Sequence, residues 1–496
     1  MNSATSGWRA TLARMAASFF FYDLETSGLN ASSDRIMQFA GQRTDANLEP
    51  IGEPVNVLVK LAGDVLPSPD AILITGITPQ QTLQDGLTEA EFLQFFYDEV
   101  VQPNTTFLGF NSVRFDDEFM RYLHYRNFYD PYEWQWTNDC SRWDVLDLVR
   151  MTRALRPDGI EWPFTAEGAP TNRLELLTGL NGLAHEHAHD ALSDVYATIN
   201  VTQLIRNKQP ELFKYLFDCR SKKKVAELVT AGQPFVYTSG RYPSDTLNTT
   251  AAALLAKHPE EASGIVFDLR FDPREYAAMS VDDIVKAWRY DPNAKPARKP
   301  VKTIKYNRCP AIAPLGVMNK SAIETRLQLD VATVTRNFKL LKTVHQELAT
   351  KVLAAQKQLD AERQQELASV EQPVDAQLYT GFLAAGDKQL LPVIRHAQPA
   401  DLGHYSVKVS DHRLKELLPL YKARNHPRSL TTDEREIWDD YCSAALFEGG
   451  GSSRLALYFG RLTELAKQAT ITDSQRYLVE ELQLYGESIM PSDVGA

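Results

Sequence analysis

The run Phe19-Phe20-Phe21-Tyr22-Asp23-Leu24-Glu25-Thr26 constrains this chain more than any other segment. Four consecutive aromatic residues fit a strand buried on both faces, the kind found in sheets covered by helices. Side chains alternate along a strand, so Asp23 and Glu25 face the same side. Two carboxylates on one face repel each other unless water or a cation screens them. Two readings stay open at this point: a solvated acidic strand end, or a pair of oxygen ligands for Mg²⁺ or Mn²⁺.

The segments around this strand read as α/β. Strands are predicted over Ser18–Asp23, Ile36–Thr44, Val55–Val59 and Phe107–Phe110. Helices are predicted over Thr88–Val101, Asp116–Arg126, Trp143–Leu155, Leu174–Gly179 and Ala191–Arg206. Together they imply a mixed sheet flanked by helices. Arg206-Asn207-Lys208-Gln209-Pro210 marks a domain edge, where a proline stops a helix in a polar cluster. Beyond it, short strand-like runs at Pro234–Thr238, Gly264–Asp268 and Lys302–Lys305 suit a small β-barrel, closed by a helical stretch over Ala322–Gln372. Helical patterns then return at Ala376–Ala384, Lys388–His396, Arg413–Arg424, Thr432–Leu446, Arg454–Leu465 and Ser474–Tyr485.

Two further motifs carry acids. In Asn111-Ser112-Val113-Arg114-Phe115-Asp116 a short strand ends and a helix opens near Asp116. That aspartate can be a helix cap and nothing more, and Asp117 and Glu118 follow, so spacing does not single it out. In His185-Glu186-His187-Ala188-His189-Asp190 the last residue again sits at a helix start. Zinc is disfavoured there because no cysteine lies nearby. His187 and His189 read as packing or hydrogen-bonding residues, whereas His185 can swing over the carboxylates.

In combination the order D-x-E-T, N-x-x-x-F-D and H-x-x-x-x-D resembles the DEDDh branch of the 3′→5′ exonuclease superfamily. The likeness extends through Ile72-Leu73-Ile74-Thr75-Gly76-Ile77-Thr78-Pro79, Tyr125-Arg126-Asn127-Phe128-Tyr129-Asp130-Pro131-Tyr132 and Ala188-His189-Asp190-Ala191, and in the last third through Val374-Asp375-Ala376-Gln377-Leu378-Tyr379 and Tyr421-Lys422-Ala423-Arg424-Asn425. These segments are similar to the bacterial exodeoxyribonuclease I family, from about residue 18 to 485. The resemblance implies an RNase H-like α/β exonuclease domain over 18–206, an SH3-like β-barrel domain over 207–368 and a helical C-terminal domain over 369–496, after a flexible leader at 1–17.

It also implies a site. Two Mg²⁺ ions, with Mn²⁺ as substitute, are expected on Asp23, Glu25, Asp116 and Asp190, with His185 as the base that deprotonates the attacking water. Expected single-stranded DNA contacts are Glu25, Thr26, Arg121, Tyr132, Trp136 and Arg150, mixing basic and aromatic side chains as a sequence-tolerant groove needs. The acidic C-terminal tail of the single-stranded-DNA-binding protein is expected against Arg156, Arg336, Lys339 and Lys342. The implied activity is processive 3′→5′ digestion to 5′-mononucleotides in DNA repair or recombination, by a monomer. The alternatives are a 3′→5′ exoribonuclease of the same superfamily and a non-catalytic single-strand-binding protein.

Bulk properties bound these readings. The net charge of −11 disfavours a protein that coats nucleic acid, yet Lys295 to Lys342 holds eleven Lys/Arg against two acids, a local +9 that can hold a polyanion. Lys295, Arg298, Lys299, Lys302, Lys305 and Arg308 are the candidates. Four scattered cysteines without a CxxC pair point to a reducing cytoplasm. There is no run of 18 apolar residues, so no membrane span is expected.

Overall fold

A computed structural model of the chain describes residues 17–185, 190–289, 299–369 and 372–490. Alternation along β1 (Ser18–Thr26) organises the first domain. Phe19 and Phe21 enter a core with Val149, Val195 and Ile199. Phe20 and Tyr22 enter the opposite core, against Phe92, Phe96, Phe119 and Trp134. By the same alternation Asp23 and Glu25 take the face of Phe19 and Phe21, which the helix Ala191–Lys208 covers.

β1 is central in a five-stranded sheet with β2 (Ile36–Thr44), β3 (Val55–Leu58), β4 (Thr105–Gly109) and β5 (Ser141–Asp144), in the order β3-β2-β1-β4-β5. β1 pairs antiparallel with β2 and parallel with β4, so the sheet is mixed. Two details differ from the sequence pattern. β1 runs past Asp23 to Thr26, with a bulge between Glu25 and Thr26. Trp143 lies in β5 and not in a helix; the helix is Val145–Leu155, and Asp144 caps it by accepting the Leu146 N–H.

The SH3-like domain holds an antiparallel sheet of β6 (Phe235–Thr238), β7 (Thr249–Lys257), β8 (Ser263–Asp268), β9 (Val301–Lys305) and β10 (Ala311–Pro314), ordered β10-β6-β7-β8-β9. The sequence pattern does not reveal β7, because Thr-Thr-Ala-Ala-Ala-Leu-Leu-Ala-Lys favours helix locally; pairing on both edges overrides that preference. The stretch Ala322–Gln372 is two helices, Ser321–Leu327 and Val331–Ser369, separated at Gln328 with φ +52°.

Helices Ala385–Arg395, His412–Asn425, Thr432–Phe447, Arg454–Ala466 and Asp473–Ser488 build the C-terminal domain. Ala376–Ala384, expected to be helical, instead holds the end of the 3₁₀ segment Val374–Tyr379 and an irregular stretch before the helix Ala385–Arg395. Buried charges join this domain to the first. Arg35 meets Asp375 at 2.8 Å and Arg424 meets Asp64 at 2.6 Å and Asp375 at 2.7 Å, while Arg126 meets Glu89 at 2.9 Å on the first domain's side. Among the described residues no helix is long and apolar enough to cross a membrane.

Candidate active site

A tight loop carries the second acidic motif to β1. Gly109 ends β4 so close to its neighbour that a Cβ would lie 2.5 Å from the Tyr22 carbonyl oxygen, so glycine alone fits. Asn111 follows at φ +73°, a left-handed conformation that asparagine tolerates. The Asp144 carboxylate pins this turn, accepting the N–H groups of Asn111 at 3.1 Å and Val113 at 3.3 Å. Burial, with the nearby Asp147 charge, pushes Asp144 up to about 6.

Surroundings separate the three consecutive acids that spacing leaves equivalent. Asp117 accepts the Tyr22 hydroxyl and the Gln135 amide, each at 2.7 Å, and pairs with Arg142. Glu118 joins three domains: it accepts from Arg121 of its own helix at 2.7 Å, from Arg308 of the SH3-like domain at 2.8 Å, and from the Tyr379 hydroxyl of the C-terminal domain. Asp116 is 3% exposed and its Oδ1 has no hydrogen-bond partner. It is not the helix cap, since that position is Phe115. Burial lifts its pKa well above the carboxylate range; its own backbone N–H opposes this, and the charges of Asp117, Asp144 and Glu25 add to it.

The third motif arrives on the helix facing β1. Oxygens of Asp23, Glu25 and Asp194 lie within 4.8 Å of one another. Asp190 caps the helix by accepting the Ser193 N–H at 2.9 Å and is exposed, outside that group. Its charge nevertheless acts on Glu25. Asp194, one turn further along, is the residue that motif reading misses; the i to i+4 spacing from Asp190 was the available signal. His185 sits beside it, with Nε2 2.5 Å from Asp194 Oδ1. His187 and His189 lie outside the described residues.

Electrostatics show what this cluster lacks. Burial, then Asp116 and Asp194, raises Asp23 well above the carboxylate range. Burial, then Asp23, Asp194 and Asp190, pushes Glu25 up to about 9. Convergent acids without a counter-charge hold protons until a cation replaces them. The donors are hard oxygens, one of them orphaned, a set that suits Mg²⁺ or Mn²⁺. Asp23, His185 and Asp194 line an open cavity of about 480 Å³ together with Arg150 and Asn111.

The remaining expected contacts divide. Arg150 lines the cavity, held at 2.8 Å by Asp147. Trp136 is 63% exposed, free to stack on a base. Arg121 is buried and lies 5.4 Å over the Tyr132 ring. Thr26 is buried, and its hydroxyl donates to the Gly28 carbonyl at 2.7 Å. Much of the basic segment is neutralised within the fold. Arg308 pairs with Glu118 and Lys305 with Glu261, while Lys302 packs on the Tyr242 ring and burial pushes it down to about 8. Lys295 and Arg298 lie outside the described residues. Arg336, Lys339 and Lys342 are exposed along the helix Val331–Ser369, and Arg156 follows the helix Val145–Leu155.

Comparison with known proteins places this architecture. Residues 20–202 match the family described as Exonuclease, 220–358 the Exonuclease I SH3-like domain, and 372–489 the Exonuclease I C-terminal domain. The fold and the acidic cavity thus define a nuclease. Exodeoxyribonuclease I of Haemophilus influenzae is 39% identical over 438 residues, covering 86% of this chain and 89% of its own. The crystal structure of E. coli Exonuclease I in complex with a dA16 oligonucleotide superposes with a TM-score of 0.87 at 36% identity, over 96% of this chain and all of that one. An ExoI/SSB-Ct complex superposes with a TM-score of 0.88 at 36% identity, again over 96% and 100%. The chain belongs to the exodeoxyribonuclease I family.

Proposed function

We propose that this chain digests single-stranded DNA processively from the 3′ end to 5′-mononucleotides, with two Mg²⁺ ions as cofactor and Mn²⁺ as substitute. The observation that carries this reading is the convergence of the Asp23, Glu25 and Asp194 carboxylates within 4.8 Å at the end of β1, with the orphaned Asp116 oxygen near them. Asp23, Glu25, Asp116 and Asp190 are the ligands we assign, and geometry adds Asp194. Bound divalent cations supply charge neutralisation and acidify a water. His185, at the cavity beside Asp194, would accept the proton of the attacking water. Arg150, which lines the cavity, is assigned to the DNA. Glu25 and Thr26 border the terminal nucleotide, and Arg121, Tyr132 and Trp136 line the strand's path.

Digestion of a 5′-labelled single strand with Mg²⁺ tests this reading. A ladder shortening from the 3′ end, with mononucleotide product and full inhibition by chelator, is expected. Chelator-insensitive or absent cleavage would leave only a binding protein, and equal cleavage of RNA of the same sequence would favour the exoribonuclease alternative. The domains beyond residue 207 support the DNA reading, because they extend the surface available to a long strand.

The complex described for the relative supports a second partner, the acidic tail of the single-stranded-DNA-binding protein, at Arg156, Arg336, Lys339 and Lys342. Clustered cations recognise acidic motifs. A tail peptide is expected to bind Lys339→Ala/Lys342→Ala protein more weakly than wild type, and equal affinities would remove those two residues from the site. We place the enzyme in the cytoplasm as a monomer acting in DNA repair.

A further inference from the structure

The Arg150 guanidinium, which lines the cavity with Asp23, His185 and Asp194, is confined from two sides. On one side stands Asp147, 2% exposed on the same helix. Its Oδ1 accepts from Arg150 Nη1 at 2.8 Å, and its Oδ2 accepts from Arg114 Nη2 at 2.7 Å. On the other side stands the SH3-like domain. Gly240 follows β6, and a Cβ there would lie 2.7 Å from Arg150 Nη2, 2.9 Å from Cζ and 3.1 Å from Nη1. That is closer than a side-chain carbon packs, so only hydrogen leaves room for the guanidinium. The turn bearing Gly240 is braced and cannot retreat. The Ser239 N–H donates to the Asn248 carbonyl oxygen at 2.8 Å, the Tyr242 N–H to that of Ser239 at 2.9 Å, and Asn248 Nδ2 to that of Tyr242 at 2.7 Å. Gly240 is not among the glycines with a left-handed φ, so its backbone would accept a side chain. Arg150, and not the turn, requires the glycine.

We propose that the SH3-like domain completes the nuclease cavity, with Gly240 and Asp147 as positioning residues that clamp Arg150 toward a phosphate of the bound strand. This rests on the assignment of Arg150 to the DNA. Among the described residues only Nη1 of Arg150 finds an acceptor, Asp147, so the Nη2 donors remain for phosphate oxygens. Two-point recognition of phosphate by arginine depends on the direction of the fork. A free arginine side chain loses rotamer entropy when it binds. Two fixed walls remove that freedom before the strand arrives, which is preorganisation. The wall from Gly240 also ties the geometry of the cavity to the seating of the second domain on the helix Val145–Leu155, where Val236 of β6 shares a core with Val145 and Val149. No sequence motif marks Gly240; its contact with Arg150 is visible only in the fold.

The test is a double-mutant cycle on the full chain. Gly240→Ala pushes the guanidinium aside while the turn tolerates the methyl group. Its kcat/KM on single-stranded DNA is expected to fall about 10-fold or more, since misplacing a reacting group by about 1 Å can cost about 10²-fold. In an Arg150→Ala background the collision disappears, and the same substitution should change kcat/KM by less than about 2-fold. Asp147→Asn, which keeps shape and removes the charge, should likewise cost more with Arg150 present than without it. A second readout needs no cleavage. Oligonucleotide affinity in chelator, followed against salt, should lose about 0.7 from its log–log slope in Arg150→Ala, one phosphate contact, and Gly240→Ala should approach that slope. An equal loss from Gly240→Ala with and without Arg150 overturns the proposal, as does wild-type kcat/KM in Gly240→Ala. Should Gly240→Ala fail to fold, its rescue by Arg150→Ala supports the clamp, and misfolding in both backgrounds overturns it. Arg150→Ala separates the two levels: normal binding and cleavage by that variant removes Arg150 from the DNA, whereas an impaired Arg150→Ala beside an unaffected Gly240→Ala removes the clamp alone.

Discussion

Two groups of buried charges lie in this molecule, and burial affects them in opposite ways. At the junction of the first and last domains, Arg35, Arg126 and Arg424 face Asp64, Glu89 and Asp375, three cations against three anions. Burial alone would raise Asp375, but Arg424 and Arg35 reverse this and hold its carboxyl well below the usual range. Glu89 is likewise lowered, because Arg126 and Arg35 outweigh its burial. At the end of β1, Asp23, Glu25 and Asp116 are raised, because burial there is reinforced by like charge. The first group is complete as folded and serves cohesion. The second is complete only with a cation from outside, and such a deficit is the physical mark of a functional site.

Substitutions can break or sharpen that contrast. The largest effect is expected from Asp23→Asn, which removes one ligand from the deficient group. Cleavage should fall by about 10³-fold or more, the kinetic equivalent of several kcal/mol of lost metal assistance. The metal-free protein should melt no lower than wild type, since a repelling charge has gone. A melting loss as large as that of the next variant would show the two groups to be alike.

That variant is Arg424→Met, which leaves Asp64 and Asp375 to Arg35 alone. Removing one partner of a buried pair costs about 3–5 kcal/mol. Urea denaturation should register this, while the folded fraction keeps near-normal kcat. Unchanged stability would mean that water reaches the junction and that its charges are not interdependent.

The smallest effect concerns pH. Glu25 holds its proton in the folded state up to about 9 but releases it near 4.5 when unfolded. Its raised pKa therefore stabilises the metal-free protein fully below about 4.5, and this contribution is lost as pH rises through 9. Melting temperature without metal should decline by a few degrees across that window, and Mg²⁺ should flatten the decline and bind more tightly as pH rises. A flat metal-free profile would argue that these carboxyls are already compensated.

Much of this was legible in the chain itself, for reasons that also explain the misses. Period-two alternation through Phe19–Tyr22 fixes the side of the sheet on which Asp23 and Glu25 emerge, so that pair needed no coordinates. Asp116 could not be told from Asp117 and Glu118, because what distinguishes them is the partners supplied by Gln135, Arg142, Arg308 and Tyr379, all distant in sequence. Asp194 was passed over for the same reason: its role depends on the approach of His185 and β1. The strand β7 was hidden by alanines whose local preference is helical. Local propensity and periodicity are written in adjacent residues, whereas compensation of charge is a property of the assembled whole.

One contact bears on the order in which the molecule can be completed. Ser27, just past the metal-facing end of β1, is held by Arg35 through two hydrogen bonds, N–H to carbonyl oxygen at 2.8 Å and backbone N–H to Ser27 Oγ at 2.9 Å. Arg35 in turn needs Asp375, which leaves the ribosome 340 residues later. Domains generally fold as they are synthesised, N-terminal first, so until Asp375 arrives Arg35 has only the looser partners Glu89 at 3.8 Å and Asp64 at 4.0 Å. The tightest ion pair behind the metal-facing edge is therefore the last to be made, once the chain is nearly complete.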